Sequence, residues 1–174
     1  HAGTVCVCVT MDLPNGIKGC QKGIGGDENG GYAACAGIFS DSGRDGPAYK
    51  KGISKQLDDY MKEKNSIFNE EMEKEMSEKF NITMNFVNKC YPYGFAKKEN
   101  AKQVARPYFE ALSVGAYLAL KENPDLLISK DEAKKLLMDE SFITSVSGRY
   151  QTHKAKTIKE RIDYVKDGLK KYAN

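Results

Sequence analysis

Two periodicities of hydrophobic residues divide this chain near residue 50. In Thr4–Thr10 valines and cysteines alternate, which places the valines on one face of an extended strand and the cysteines on the other. Pro14–Gly16 then has the composition of a tight turn. From Lys50 onward, hydrophobic residues recur every three or four positions, the spacing of a helix that buries one side. The pattern predicts a short β-hairpin-like segment followed by helices.

Five stretches of the second part carry the helical spacing. The predicted helices cover about 50–64, about 67–91, Arg106 to Asn123, a short stretch after the Ser129–Glu132 capping box, and about 154–172. Proline is well placed in the first turn of the third helix. The sequence therefore predicts a mainly α fold, an array of about five helices preceded by a small Cys/Gly-rich β-hairpin-like segment.

Small residues mark one face of the third predicted helix. Gly115, Ala116 and Ala119 share that face with Leu112 and Leu120. Because short side chains let a second helix approach closely, we expect this helix to pack directly against a neighbour.

One acid, Glu110, falls within the same apolar helix. A buried carboxylate is either a functional acid or the partner of a buried cation. Arg106, four residues earlier, and Arg161, in the last predicted helix, are the candidate structural partners. Of the two interpretations we favour a structural ion pair.

Composition and charge divide the chain at the same place as the periodicity. Of the 16 glycines, 11 precede Pro47, as do four of the five cysteines. Residues 1–49 carry three Lys/Arg and five Asp/Glu, residues 50–146 carry 16 of each, and residues 147–174 carry eight Lys/Arg and three Asp/Glu. We therefore predict two units, a Cys/Gly-rich segment over 1–49 and an all-α domain over 50–174.

The four cysteines of the first segment admit three interpretations. They are Cys6, Cys8, Cys20 and Cys35. Two disulfides would staple a small secreted module. A four-cysteine zinc site usually contains C-x₂₋₄-C pairs, a spacing that these residues lack. In a reducing compartment the same residues would be buried free thiols. Cys90 is left over under every pairing and is predicted to be a small buried residue on a helix.

The helical part offers little catalytic chemistry. The whole chain has two histidines, which excludes a histidine-built metal site, and no serine or cysteine lies in the context of a nucleophile. We predict no catalytic residue, no metal and no cofactor. Basic and hydroxyl side chains of residues 144–154 have a composition that can hold phosphates, and equally that of a solvated loop followed by a helix cap at Thr152. The candidate contact residues are Arg149, His153, Lys154, Lys156, Lys159 and Arg161.

Three segments of the helical part resemble one protein family. They are Phe86–Phe95 (FVNKCYPYGF), Arg106–Gly115 (RPYFEALSVG) and Leu118–Pro124 (LALKENP). Asp139–Thr144 and Arg161–Val165 fit the same pattern. Together they are similar to the helical carboxy-terminal part of GmrSD-like proteins, whose other half is a ParB/sulfiredoxin-type nuclease domain. The resemblance covers residues 50–172.

This resemblance implies a bacterial or archaeal protein of restriction and anti-phage systems, whose members cleave DNA in a nucleotide-dependent reaction. The family's catalytic motif, of the type Asp-Gly-Gln-Gln-Arg, is absent from this sequence, so no catalytic residue carries over. We therefore expect a non-catalytic helical accessory module that scaffolds or positions nucleic acid. The implied partners are DNA and either a nuclease domain or a second copy of the chain, in a prokaryotic cytoplasm.

The alternative function follows from the cysteines. If they form disulfides, the chain is a secreted, disulfide-stapled binding protein of an effector or toxin type. Neither hypothesis includes a membrane partner, because no apolar run approaches the roughly 20 residues that a membrane-spanning helix needs.

Overall fold

The computed structural model describes most of the chain after residue 65. The described ranges are 66–67, 69–99, 101, 104–147 and 155–173, with the backbone of Met11–Asp12 and Lys18–Gly19. The last two segments are β1 (Met11–Asp12) and β2 (Lys18–Gly19), an antiparallel pair in which Met11 lies opposite Gly19. The predicted strand over 4–10, its four cysteines and the predicted helix over 50–64 lie outside the described residues.

Five helices account for most of the described residues after residue 65. They are α1 (Glu70–Cys90), α2 (Arg106–Glu122), α3 (Lys130–Leu137), α4 (Glu140–Ser145) and α5 (Ala155–Tyr172). The fold of the described part is mainly α, as the periodicity predicts. Four of the helices match predicted ones. The fifth, α4, was not predicted, because its six residues are too few to show a period and only Phe142 among them is buried.

Local signals in the sequence fix where α1 and α3 begin. The Asn69 side chain accepts a hydrogen bond from the Met72 amide at 2.8 Å, so it caps the amino terminus of α1. Ser129 and Glu132 form the predicted capping box at the start of α3, where the Ser129 amide donates to Glu132 Oε2 at 3.0 Å. The hydrogen bond from the Ser129 hydroxyl holds the pKa of Glu132 below its ordinary value.

Helix α2 lies at the centre of the fold and packs against both α1 and α5. A Cβ atom added at Gly115 would lie 2.7 Å from Cβ of Val165 and 3.1 Å from the carbonyl oxygen of Ile162. The backbones of α2 and α5 therefore approach closely at Gly115, which confirms the prediction made from the small residues of this face.

A tight turn at residues 91–95 ends α1 and folds the chain back onto α2. Gly94 adopts a positive φ of 56°, a conformation that other residues rarely take. The turn is fastened by aromatic contacts on both sides. The ring of Tyr91 meets that of Phe86 edge to face at 6.0 Å, and the ring of Phe95 meets that of Phe109 at 4.5 Å.

The short helix α4 is held by one aromatic side chain. Phe142 is 1% exposed and stacks on Tyr164 of α5 with ring centroids 5.3 Å apart. The ring of Phe142 also lies next to that of Tyr108 of α2, with ring centroids 5.7 Å apart. Asp139 caps the helix by accepting hydrogen bonds from the Ser141 and Phe142 amides. A single buried ring and a good cap are therefore enough to order these six residues.

Candidate functional site

The most deeply buried charges of the described residues form an ion pair between two helices. Glu110 of α2 and Arg161 of α5 are each 2% exposed, and Arg161 Nη2 donates to Glu110 Oε2. Of the two partners expected for Glu110, the structure places Arg161 there. The pair supports the structural interpretation of this acid, because the carboxylate is engaged inside the α2–α5 contact.

The same contact removes Arg161 from the predicted phosphate-binding surface. That part of the prediction is wrong, because a side chain with 2% exposure does not reach a ligand at the surface. The reason lies in the helical period of α5. Arg161 follows Ile158 by three positions and precedes Val165 by four, so it falls on the same buried stripe as these two residues.

Two other residues of the predicted surface, Lys156 and Lys159, are exposed on the first turns of α5. The side chain of Lys156 is 86% exposed, and its ammonium lies 3.8 Å from Glu160. Lys159 donates to Asp163 at 2.6 Å. Both contacts join residues four apart on one helix, and such exposed pairs add little stability. Both lysines therefore remain accessible to a ligand with a stronger negative charge.

The remaining predicted residues lie outside the described ranges. They are Arg149, His153 and Lys154 of the predicted basic surface and Cys6, Cys8, Cys20 and Cys35 of the first segment. The fifth cysteine, Cys90, is a free thiol at the end of α1 and is 1% exposed, which confirms that it is a small buried residue.

At its carboxyl end α5 is tied to α2 by charges at the surface. Lys170 donates a hydrogen bond to Glu122, and Lys166 lies 3.6 Å from the other carboxylate oxygen of Glu122. The hydrogen bond from Lys170 holds the pKa of Glu122 below its ordinary value, and the same bond raises the pKa of Lys170. These lysines therefore differ from Lys156, because their carboxylate partner belongs to another helix.

A shallow cleft lies between the 91–95 turn and the end of α3. Two lysines line it, Lys97 and Lys134, together with Tyr93, Tyr108 and the apolar side chains of Leu137 and Met138. No carboxylate is among the described residues of its wall. The sequence prediction did not include either lysine, because nothing in their local sequence brings two such distant positions together.

Lys97 has a defined position in this cleft. Its ammonium donates to the carbonyl oxygen of Val146 at 3.3 Å and lies 5.7 Å from the centre of the Tyr108 ring. Partial burial lowers the pKa of Lys97, and burial raises the pKa of Tyr108 to about 12. The structure thus holds one positive charge at the wall of the cleft, in surroundings drier than bulk water.

Neither a metal site nor a membrane-spanning helix occurs among the described residues. In these ranges no group of three or more His, Cys, Asp or Glu side chains is arranged to hold a metal ion. None of the described helices has the length and apolar character needed to cross a membrane.

Comparison of the chain with protein-family models, with curated proteins and with solved structures gave no match. The functional argument consequently depends on the residues themselves and on the contacts described above.

Proposed function

We propose that this chain is a non-catalytic helical module that positions nucleic acid, and that the amino-terminal half of α5 is its contact surface. This proposal rests on the exposure of Lys156 and Lys159. Both lie on α5, and the opposite side of this helix is buried in the core. A rigid helix presents its charges at a constant spacing, which is how positioning contacts to phosphates are made.

The anchoring of α5 supports a positioning role. Ile158, Ile162, Val165 and Leu169 are all at most 4% exposed, and Arg161 adds the ion pair to Glu110. The side that contacts α2 is therefore closed to ligands. What the helix offers to solvent is its charged side, with five lysines and three carboxylates outside the buried pair.

The ion pairs of that surface are weak enough to be exchanged for an anionic partner. The carboxylates of Glu160 and Asp163 lie four positions after the two lysines and partly neutralise them. A nucleic-acid phosphate competes with an exposed side-chain carboxylate readily, because such ion pairs contribute only about 0–1 kcal/mol. Release of counterions from the nucleic acid adds to the gain.

A salt titration of DNA binding tests this proposal. We expect fluorescence anisotropy with a short duplex to show affinity that falls linearly with salt on logarithmic axes, with a slope of about −0.9 for each phosphate neutralised. The double variant Lys156→Gln/Lys159→Gln is expected to weaken binding and to reduce the slope by about two phosphate contacts.

The chain offers a matched control on the same helix. Lys166→Gln/Lys170→Gln removes the same charge, but from lysines that are paired with Glu122 of α2. This control is expected to change the slope much less than the variant at the amino-terminal half. Absence of binding at low salt, or an equal effect of both double variants, contradicts nucleic-acid positioning by this surface.

A second part of the proposal concerns the protein family of the chain. We infer from the FEALSVG and LALKENP segments that the chain is the helical accessory region of a GmrSD-like restriction nuclease. The test is the native reading frame upstream of residue 1. A nuclease domain with the Asp-Gly-Gln-Gln-Arg type of motif there supports the inference, and any other domain contradicts it.

A further inference from the structure

The cleft between the 91–95 turn and α3 has the features of a small anion site. Lys97 and Lys134 line it from two different elements, one after the turn and one in the last turn of α3. Neither lysine forms an ion pair with a carboxylate of the described residues. The cleft therefore brings two positive charges to one concave place.

The two ammonium groups differ in how firmly their surroundings hold them. Lys97 is held by the Val146 carbonyl and by the ring of Tyr108, so its position is set before any ligand arrives. Lys134 is exposed at the other side of the cleft and can turn toward a ligand. Tyr93 adds a phenol to the wall. One fixed and one adaptable cation suit an anion that carries two charges.

We propose that this cleft binds a phosphate group, with Lys97 and Lys134 as the cations that neutralise it. Lysine is a common phosphate ligand because it acts as a compact point charge with three donors. A phosphate monoester carries nearly two negative charges at neutral pH, which matches the two lysines. Leu137 and Met138 give the cleft an apolar side against which the organic part of an ester can lie, and Met138 is 58% exposed.

Two arms distinguish the source of the phosphate. The full chain is titrated with inorganic phosphate and, separately, with a nucleoside 5′-monophosphate, at constant ionic strength so that general screening does not change. Amide chemical shifts in two-dimensional NMR spectra report binding. We expect saturable shifts of residues in the 91–97 segment and at the end of α3. Equal affinity for both probes indicates free phosphate as the ligand, and tighter binding of the nucleotide indicates an ester.

Neighbouring lysines provide matched controls for both positions. Lys98 and Lys135 are exposed, adjacent in sequence to the proposed ligands, and absent from the wall of the cleft. We expect Lys97→Gln and Lys134→Gln each to weaken phosphate binding about tenfold, the value of one charge-assisted hydrogen bond. Lys98→Gln and Lys135→Gln are expected to leave the affinity nearly unchanged.

Phosphate binding by Lys134→Gln tests the proposal even if Lys97→Gln fails to fold. The side chain of Lys134 is exposed, so thermal unfolding of Lys134→Gln should match that of the parent chain. Shifts that do not saturate, or an equal loss in Lys135→Gln, overturn the proposal. The site does not depend on nucleic-acid binding by α5, and Lys156→Gln/Lys159→Gln is expected to bind phosphate normally.

Discussion

The ion pair between Glu110 and Arg161 carries two charges in a part of the core from which water is excluded. Removing water from a carboxylate and a guanidinium costs several kcal/mol for each, and their mutual attraction offsets that cost only while both are present. Glu110→Gln removes the carboxylate while the guanidinium of Arg161 stays buried. We expect the free energy of unfolding, measured with urea, to fall by about 3–5 kcal/mol.

A second carboxylate on α5 provides the control for this variant. Asp163 pairs with Lys159 at 2.6 Å, but its side chain is 36% exposed. Asp163→Asn makes the same chemical change at the surface, where we expect a loss of less than about 1 kcal/mol. If the two variants lose the same amount, burial of the pair is not what makes Glu110 important.

Unlike Glu110 and Arg161, the hydroxyl of Tyr91 is a buried polar group without a hydrogen-bond partner among the described residues. Tyr91 is 1% exposed. Tyr91→Phe removes that group and keeps the ring contact with Phe86. We expect the free energy of unfolding at neutral pH to rise by about 1 kcal/mol, since an unsatisfied buried hydroxyl is destabilising.

The same variant changes the response to alkali, with a sign that the pKa shift fixes. Burial raises the pKa of Tyr91 well above its ordinary value of 10.0, so the folded chain holds this proton more tightly than the unfolded chain does. Ionisation of Tyr91 therefore leaves the free energy of unfolding unchanged below pH 10.0 and lowers it as the pH rises from there through the folded pKa. As the pH rises above 10.0, the free energy of unfolding of Tyr91→Phe is therefore expected to fall less steeply than that of the parent chain.

Tyr164→Phe is the matched control for Tyr91→Phe. The Tyr164 hydroxyl donates to the carbonyl oxygen of Leu136 at 3.4 Å, so its removal should lower the free energy of unfolding by about 1 kcal/mol at neutral pH. A stability loss in Tyr91→Phe as large as that in Tyr164→Phe contradicts the interpretation of Tyr91 as an unsatisfied group.

At the scale of the helices, the contact of α2 with α5 depends on Gly115, because glycine has no side chain to keep the helices apart. A methyl group at Gly115 would lie 2.7 Å from two carbon atoms of Val165, well inside their contact distance. Alanine gains about 1 kcal/mol of helix propensity over glycine, whereas overpacking of a core costs about 1–3 kcal/mol. We expect Gly115→Ala to lower the free energy of unfolding, measured with urea, because Val165 and the backbone at Ile162 have no room to move.

Gly168 on α5 allows a comparison within the same fold. A methyl group there would meet the end of the Leu136 side chain, whose Cδ1 lies 2.2 Å away. Since a terminal methyl group moves more easily than a backbone, Gly168→Ala should lose less stability than Gly115→Ala. The reverse order would show that α2 and α5 can separate at low cost.

How far the sequence predicts these elements depends on the length of each pattern. Helices α1, α2, α3 and α5 show a repeated period or a cap, and the small residues around Gly115 predict the close packing of α2. Helix α4 has neither length nor period, and it is ordered by the contact of Phe142 with Tyr164. That contact joins residues far apart in the chain, so no local pattern predicts it.

The candidate sites follow the same rule. Lys156 and Lys159 were predicted because they are close together in the sequence, and the structure exposes both of them. Arg161 was placed with them because composition ignores which face of the helix a residue occupies. Lys97 and Lys134 come together only when the 91–95 turn and α3 pack, a tertiary event that leaves no signal in either segment.

For the molecule as a whole, the change in composition near residue 50 predicts where the chain can be divided. Every buried hydrophobic residue among the described residues lies between Met84 and Leu169. The composition of residues 1–49 differs from the rest, and we predict that they form a separate unit. A fragment of residues 50–174 should then keep the free energy of unfolding to within about 1 kcal/mol and, above all, the same dependence on urea, which scales with the surface exposed on unfolding.

The control for that fragment removes a shorter part of the chain, 20 residues, from the other end. Deletion of residues 155–174 takes away Arg161, Val165 and Leu169, which leaves Glu110 without its buried partner and the face of α2 around Gly115 open to water. We expect this shorter chain to show no cooperative transition in urea, followed by circular dichroism, because the loss exceeds the roughly 5–15 kcal/mol that stabilises a domain of this size. If instead the urea dependence of the 50–174 fragment falls in proportion to the residues removed, the first 49 residues share the core and the two-unit organisation is wrong.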